Sequence, residues 1–257
     1  MSIGKTIAAC VLALSALSVQ AQDEEALRQA ERLGTELFEL DRAVQAAYAA
    51  GQEWRAFRRD DGVEGWVAER RGDGSHAITF VGRNRDDEHV ALYHASVGRS
   101  GSLQGEMERL DKVPLSGRLA AQYAARQRAA GIQRSECSST YETVVMPGTI
   151  QGAPGWHAYL LPRAAFPDVH LLGGTFRADI SERGDAVRFM QPLAAGCSVL
   201  QNIADAPALQ FADEQVSAPN ELHVYISRRV GKPLYVQAGD SGQTWLIQDG
   251  RIRAVAP

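Results

Sequence analysis

Basic surplus, long apolar runs, cysteine and metal-ligand spacing are all scarce in this 257-residue sequence. Lys and Arg total 27 against 31 Asp and Glu, a formal charge of −4. A protein that neutralises many phosphates carries an excess of cations, so general nucleic-acid binding is excluded. After the first 21 residues no segment approaches the roughly 18 uninterrupted apolar residues of a membrane-spanning helix. The six histidines form no His-x-His pair and no His-Glu-x-x-His, the spacings that place two ligands on one zinc ion. Glycine (24) and proline (10) are too rare for a collagen-like chain, and a 45% hydrophobic content is too high for a disordered one. What is left is an ordinary globular composition.

The most specific pattern is at the N-terminus. Lys5 supplies a positive charge, Ile7 to Leu17 is almost wholly apolar or small, and Val19-Gln20-Ala21 offers small or apolar residues at the two positions a signal peptidase reads. This is the layout of a secretory signal peptide with cleavage after Ala21. A lipoprotein signal built on Cys10 does not fit, because the apolar stretch lies mostly after Cys10 rather than before it. Removal of the leader leaves 236 residues and a charge of −5, since Lys5 is its only charged residue. It also leaves two cysteines, Cys137 and Cys197. In an oxidising compartment such a pair is expected to form a disulfide, and a loop of that length contributes about 4 kcal/mol in the chain-entropy model. The alternative is a nucleophilic cysteine, for which neither position has a nearby histidine.

Hydrophobic spacing predicts a long helix over Asp23 to Ala49, with Leu27, Leu33, Leu37, Leu40, Val44 and Ala47 as its stripe and Gly51 as its stop. A helix covering a sheet explains that stripe; a coiled-coil partner would need a longer repeat. The period then changes to two. Trp66 to Glu69, His76 to Gly82 and His89 to Val97 read as a meander, with Arg71-Gly72-Asp73-Gly74 and Asn84 to Glu88 as its connections. Leu115 to Ala130 reads as a second helix between Ser116 and Gly131, with Leu119, Tyr123 and Ala130 as a thin stripe. Strands follow at Tyr141 to Met146, Trp156 to Leu161, Thr175 to Ser181, Val187 to Pro192, Leu222 to Ser227 and Leu234 to Gln237. Asp249-Gly250 closes a final hairpin that sets Ile247 opposite Ile252 and Trp245 opposite Ala254. The expected fold is α+β: two helices packed on mostly antiparallel hairpins in one domain over residues 22–257. Any subdivision is expected between Gly131 and Cys137, separating 22–132 from 133–257.

Several segments imitate known sites. Gly239-Asp240-Ser241-Gly242 resembles the nucleophile motif of chymotrypsin-like serine proteases, but Gln243 and Thr244 replace the residues that should follow, no Ala-Ala-His-Cys segment is present, and only 16 residues remain after Ser241. A turn explains the same residues. Gly98 to Ser102 lacks the second glycine of a hydrolase elbow. Asn84 to His89 lacks the glycine and distal Glu of an EF-hand loop. Arg-Gly-Asp at residues 71–73 and 183–185 falls where turns are expected. His94 shares a strand face with Val90 and Leu92 and is expected to be a core histidine.

If Leu222 to Ser227 is a strand, Leu222, Val224 and Ile226 face the core, and His223, Tyr225 and Tyr235 form an outer patch of polar-tipped aromatics suited to recognition. Cross-strand pairing explains the same alternation. Trp156 and His157 would add to the patch if their strand lies beside it.

Cys137-Ser138-Ser139-Thr140-Tyr141, Gly155 to Leu161, Gly173-Gly174-Thr175-Phe176-Arg177, Cys197, Glu221 to Ser227 and Trp245 to Arg251 together resemble a family of exported Gram-negative bacterial proteins with no assigned activity. The resemblance covers most of the mature chain and implies export and one architectural unit; it transfers no catalytic residue. The expectation is therefore a periplasmic or secreted protein without cofactor or catalytic residues. It would act as a binding or envelope-accessory module, with a protein or small-molecule ligand of the envelope as partner. The competing expectation is a secreted hydrolase that assembles His157, His223 and Glu221 for acid–base work.

Overall fold

The computed structural model describes residues 4–132, 137–164, 169–194, 196–201, 203–213, 216–239 and 242–256, with side chains from residue 23 onward. The fold is α+β, and the chain forms two compact units. One unit takes residues 36–205 from the middle of the chain, and the other joins residues 1–35 to residues 206–257. Helix α1 (Gly4–Glu53) contributes to each, up to Thr35 in one and from Glu36 in the other. Gly131, Ile132 and Cys137, which flank the expected subdivision, thus lie inside the central unit.

The predicted stripe of α1 is buried from Leu33 on, through Leu37, Leu40, Val44 and Ala47, while Leu27 is half-buried. Each buried leucine contributes about 2 kcal/mol by leaving water. In the central unit α1 is followed by the single-turn α2 (Arg55–Arg58) and by β1 (Gly65–Arg70), β2 (His76–Arg83), β3 (His89–Val97) and β4 (Glu108–Pro114). These strands form an antiparallel sheet in sequential order. The meander is as predicted; β4 is an addition, because its exposed residues show no alternation.

Strand β2 is buried along nearly its whole length because both its faces are covered. Phe80 meets Tyr48 and Phe57 on one face, and Val81 packs with Val67 and Tyr123 on the other. Tyr123 lies on α3 (Gly117–Ala130), which runs between Ser116 and Gly131 as predicted. Its buried residues are Gln122, Tyr123, Ala125 and Ala129, rather than Leu119 and Ala130.

A second antiparallel sheet follows, from β5 (Tyr141–Ile150) and β6 (Ala153–Pro162). After the two-residue β7 (His170–Leu171) come β8 (Phe176–Ser181) and β9 (Val187–Pro192), giving the order β5-β6-β8-β9. The short β10 (Val199–Leu200) pairs with β7. Helix α3 packs Ala125 and Ala129 onto Val145, Trp156, Ala158, Ala178 and Ile180 of this sheet. Cys137 and Cys197 are joined in the expected disulfide, with their Cα atoms 5.3 Å apart.

The terminal unit contains β11 (Leu209–Asp213), α4 (Glu221–Val230), β12 (Leu234–Ala238), β13 (Gln243–Gln248) and β14 (Arg251–Ala254). Strands β11 and β12 pair in parallel through α4, and β12, β13 and β14 form a meander. The closing hairpin has the predicted register, with Ile247 opposite Ile252 and Trp245 opposite Ala254.

Segment 222–227 is helical, which corrects the predicted strand. Its six residues alternate, but the signals that decide lie outside them. Asn220 accepts from the Leu222 N–H at 3.0 Å, and the Asn220 N–H donates to His223 Nδ1 at 3.1 Å. Gly231 closes the helix in the left-handed conformation at φ 70°. A box at the start and a glycine stop at the end favour a helix over a strand.

Candidate binding site

Alternation along β6 sends Trp156 and His157 to opposite faces of its sheet. Trp156 joins the α3 side and is only 4% exposed. Its indole N–H donates to the Glu182 carbonyl at 2.8 Å, and the Arg118 guanidinium carbon sits 5.6 Å from its ring centroid. Across the hairpin, Pro147 pairs with Trp156, Gly148 with Gly155, and Thr149 with Pro154. Prolines and glycines place little side chain here, and a cleft of about 420 Å³ opens beside the indole. Gly117 and Arg118 of α3 border it on one side, Glu182 and Arg183 of the β8–β9 turn on another.

The turn is held there by Gly184, at φ 77°. A Cβ on Gly184 would lie 2.2 Å from the Ala121 carbonyl oxygen of α3. The second Arg-Gly-Asp segment is therefore turn chemistry, as expected, and its glycine also lets the turn touch the helix. Arg183 pairs with Asp185 at 3.4 Å, and both are well exposed. Among the described residues Arg118 has no ion-pair partner; its contact is the indole face. The first turn of α3 carries no carboxylate, and Ser116 makes no side-chain cap bond.

On the opposite face, His157 Nδ1 lies 2.7 Å from Asp179 Oδ1, and Arg177 Nε lies 3.3 Å from the same oxygen. A Cβ on Gly148 would lie 2.4 Å from the His157 ring, so that glycine makes room for it. A smaller hollow of about 140 Å³ is bordered by Glu36, Glu39, Arg70 and His76. Arg70 reaches Glu36 at 3.7 Å and Glu39 at 3.5 Å. Burial, with Arg70 second, holds His76 below the ordinary imidazole value.

The other sequence-predicted residues lie in the terminal unit. His223 and Tyr225 are buried in α4, and Tyr235 is half-buried on β12. The outer aromatic patch does not form, because helical geometry with burial on every side replaces the assumed strand. His223 is fully buried, 5.8 Å ring to ring from Phe211, with Nε2 3.8 Å from Asp213 Oδ2. Burial pushes its pKa down to about 4. Glu221 is buried in the first turn of α4. His157 thus belongs to one unit, and His223 and Glu221 to the other.

Of the remaining look-alike segments, Gly98 to Ser102 and Asn84 to Glu88 are closed by their own hydrogen bonds, the first by the Gly98 N–H donating to the Ser102 carbonyl at 2.8 Å. Asn84 Oδ1 accepts from the Asp86 and Glu88 N–H groups, both at 2.9 Å. Gly239 and Gly242 both have positive φ, while Asp240 and Ser241 lie outside the described residues. His94 is half-buried, 3.4 Å from Thr79 Oγ1. Among the described residues no group of three His, Cys, Asp or Glu could hold a metal ion, and no helix is long and apolar enough to cross a membrane.

The sequence pattern offers Trp156 to a recognition surface only if its strand lies beside residues 222–227, and it singles out neither Arg118 nor Arg183 as a binding residue. An arginine in a first helical turn, where a carboxylate is favoured, was the available signal.

No family model matches this chain, and no curated protein or solved structure matches it.

Proposed function

We propose that this chain is exported through a signal peptide ending at Ala21 and acts in the periplasm as a binding module without catalysis, its ligand seated in the Trp156 cleft. The carrying observation is the cleft itself: about 420 Å³, walled by an anchored indole, two prolines and glycine backbone, with two guanidiniums at the rim. Sites for small molecules have this make-up, a mostly apolar hollow with a few placed polar groups. Export is supported by the Lys5 to Ala21 pattern and by the Cys137–Cys197 disulfide, which persists in an oxidising compartment. Mass spectrometry of the periplasmic fraction should find a mature chain beginning at Gln22; a chain retaining residues 1–21 in the cytoplasm would overturn export. Binding is tested by following the Trp156 indole N–H signal, assigned with Trp156→Phe, against a fragment library. A saturable shift supports the cleft as a binding site, and a library that leaves the signal unmoved counts against it.

A second reading rests on the 2.7 Å contact between His157 Nδ1 and Asp179, the geometry by which a carboxylate orients a catalytic imidazole. Hydrolysis by the purified protein that is abolished in His157→Gln, while melting temperature is kept, would favour the hydrolase.

A further inference from the structure

We propose that the Trp156 cleft selects organic anions, molecules bearing a carboxylate or phosphate, and that Arg118 is the group that grips the charge. This rests on the cleft being a binding site and adds the chemistry of what enters it. Arg118 lies with its guanidinium carbon 5.6 Å from the Trp156 centroid. The indole is itself fixed by its bond to the Glu182 carbonyl. That contact with the indole uses none of the guanidinium N–H groups in a hydrogen bond, and those groups can engage carboxylate or phosphate in a bidentate fork. Among the described residues Arg118 has no carboxylate partner and donates no side-chain hydrogen bond, so no group of this chain has to be displaced.

Arg183 adds a second cation across the cleft, shared with Asp185. Glu182 is the one acid in the lining, and because Asp185 offsets Arg183, Arg118 is the cation on which the anion's hold depends. Pro147 and Pro154 offer apolar contact without competing donors, room for the uncharged body of the ligand.

The test uses the full mature protein with four probes: benzoate, phenyl phosphate, the neutral isostere benzamide, and inorganic phosphate. Benzoate or phenyl phosphate should shift the Trp156 indole signal saturably, with benzamide at least about tenfold weaker and affinity falling as salt is raised. Arg118→Gln should weaken the anions about tenfold and leave benzamide unchanged. Arg118 is exposed, so an unchanged melting temperature serves as the folding control. Arg118→Lys keeps the charge but not the fork, and should recover only part of the affinity. Benzamide binding as tightly as benzoate would overturn anion selection while leaving the cleft a binding site. Inorganic phosphate binding as tightly as phenyl phosphate would overturn the role of the organic body. Silence from all four probes would overturn this inference, and the fragment library then decides the binding reading separately.

Discussion

Single residues in this protein act through what their size or burial permits. Gly34, in the middle of α1, would place a Cβ 2.4 Å from the Glu221 carbonyl oxygen and 2.6 Å from the Val224 Cβ. Two helices can approach that closely only where one lacks a side chain. Gly34→Ala should therefore lower stability by about 1–2 kcal/mol, because overpacking outweighs the gain in helix propensity. Urea denaturation reads that loss, and an alanine variant as stable as wild type would contradict the close crossing. His223 makes a different prediction. Its pKa is about 4 in the fold against an ordinary 6.5, so the unfolded chain takes up the proton first. Stability is complete above about pH 6.5, falls as pH drops, and by about pH 4 has lost about 3 kcal/mol from this group. His76 and His94, both lowered chiefly by burial, act in the same direction. Unfolding free energies measured between pH 7 and pH 4 should slope this way, and His223→Gln should flatten the slope. Neither role is legible in the sequence: His223 stands out there as an outward-facing residue, and a glycine's neighbours and a histidine's burial are set by distant chain.

At the scale of elements, the sheets of the central unit depend on a side chain as well as on strand pairing. Gln122 Nε2 donates to the Ala68 carbonyl of β1 at 3.0 Å and to the Val145 carbonyl of β5 at 2.9 Å, and its Oε1 accepts from the Ala68 N–H at 3.3 Å. One buried amide thus satisfies backbone groups on two strands that belong to different sheets. Gln122→Leu should cost about 3 kcal/mol, since it keeps the volume but leaves buried polar groups without partners. A chemical-denaturation midpoint unchanged in that variant would remove the bridge from the account. Local signals carried most elements well. The α1 stripe, the β1–β3 meander, the ends of α3 and the final hairpin were legible because each rests on its own period, cap or turn. Segment 222–227 was not, because six alternating residues fit a strand, and the answer lay in Asn220 and Gly231 on either side. Strand β4 was not legible because its exposed residues show no alternation; β11 alternates, but over only five residues that end on the buried carboxylate Asp213 rather than on an apolar side chain.

For the molecule as a whole, the disulfide is the strongest constraint that sequence alone supplied. It spans 60 residues of the central unit, and loop-closure entropy assigns it about 4 kcal/mol. Cys137→Ala with Cys197→Ala should lose that amount in guanidinium unfolding, and a reducing agent should destabilise wild type but not the variant. The hydrophobic period along the chain settled its class, since helix stripes and alternating hairpins lead to an α+β fold. Cys137 and Cys197, the two cysteines beyond residue 21, are the pair that is bonded. Tertiary structure alone decided how the units are composed, because residues 1–35 and 206–257 come together from opposite ends of the chain. It alone decided the cleft as well. Arg118, Pro147, Trp156 and Arg183 lie on four different elements or turns, and their meeting depends on strand register and on Gly184 touching α3. Periodicity and capping act over a few neighbouring residues and can be read along the chain. A binding surface is made by residues far apart in sequence, and its geometry exists only once packing has brought them together.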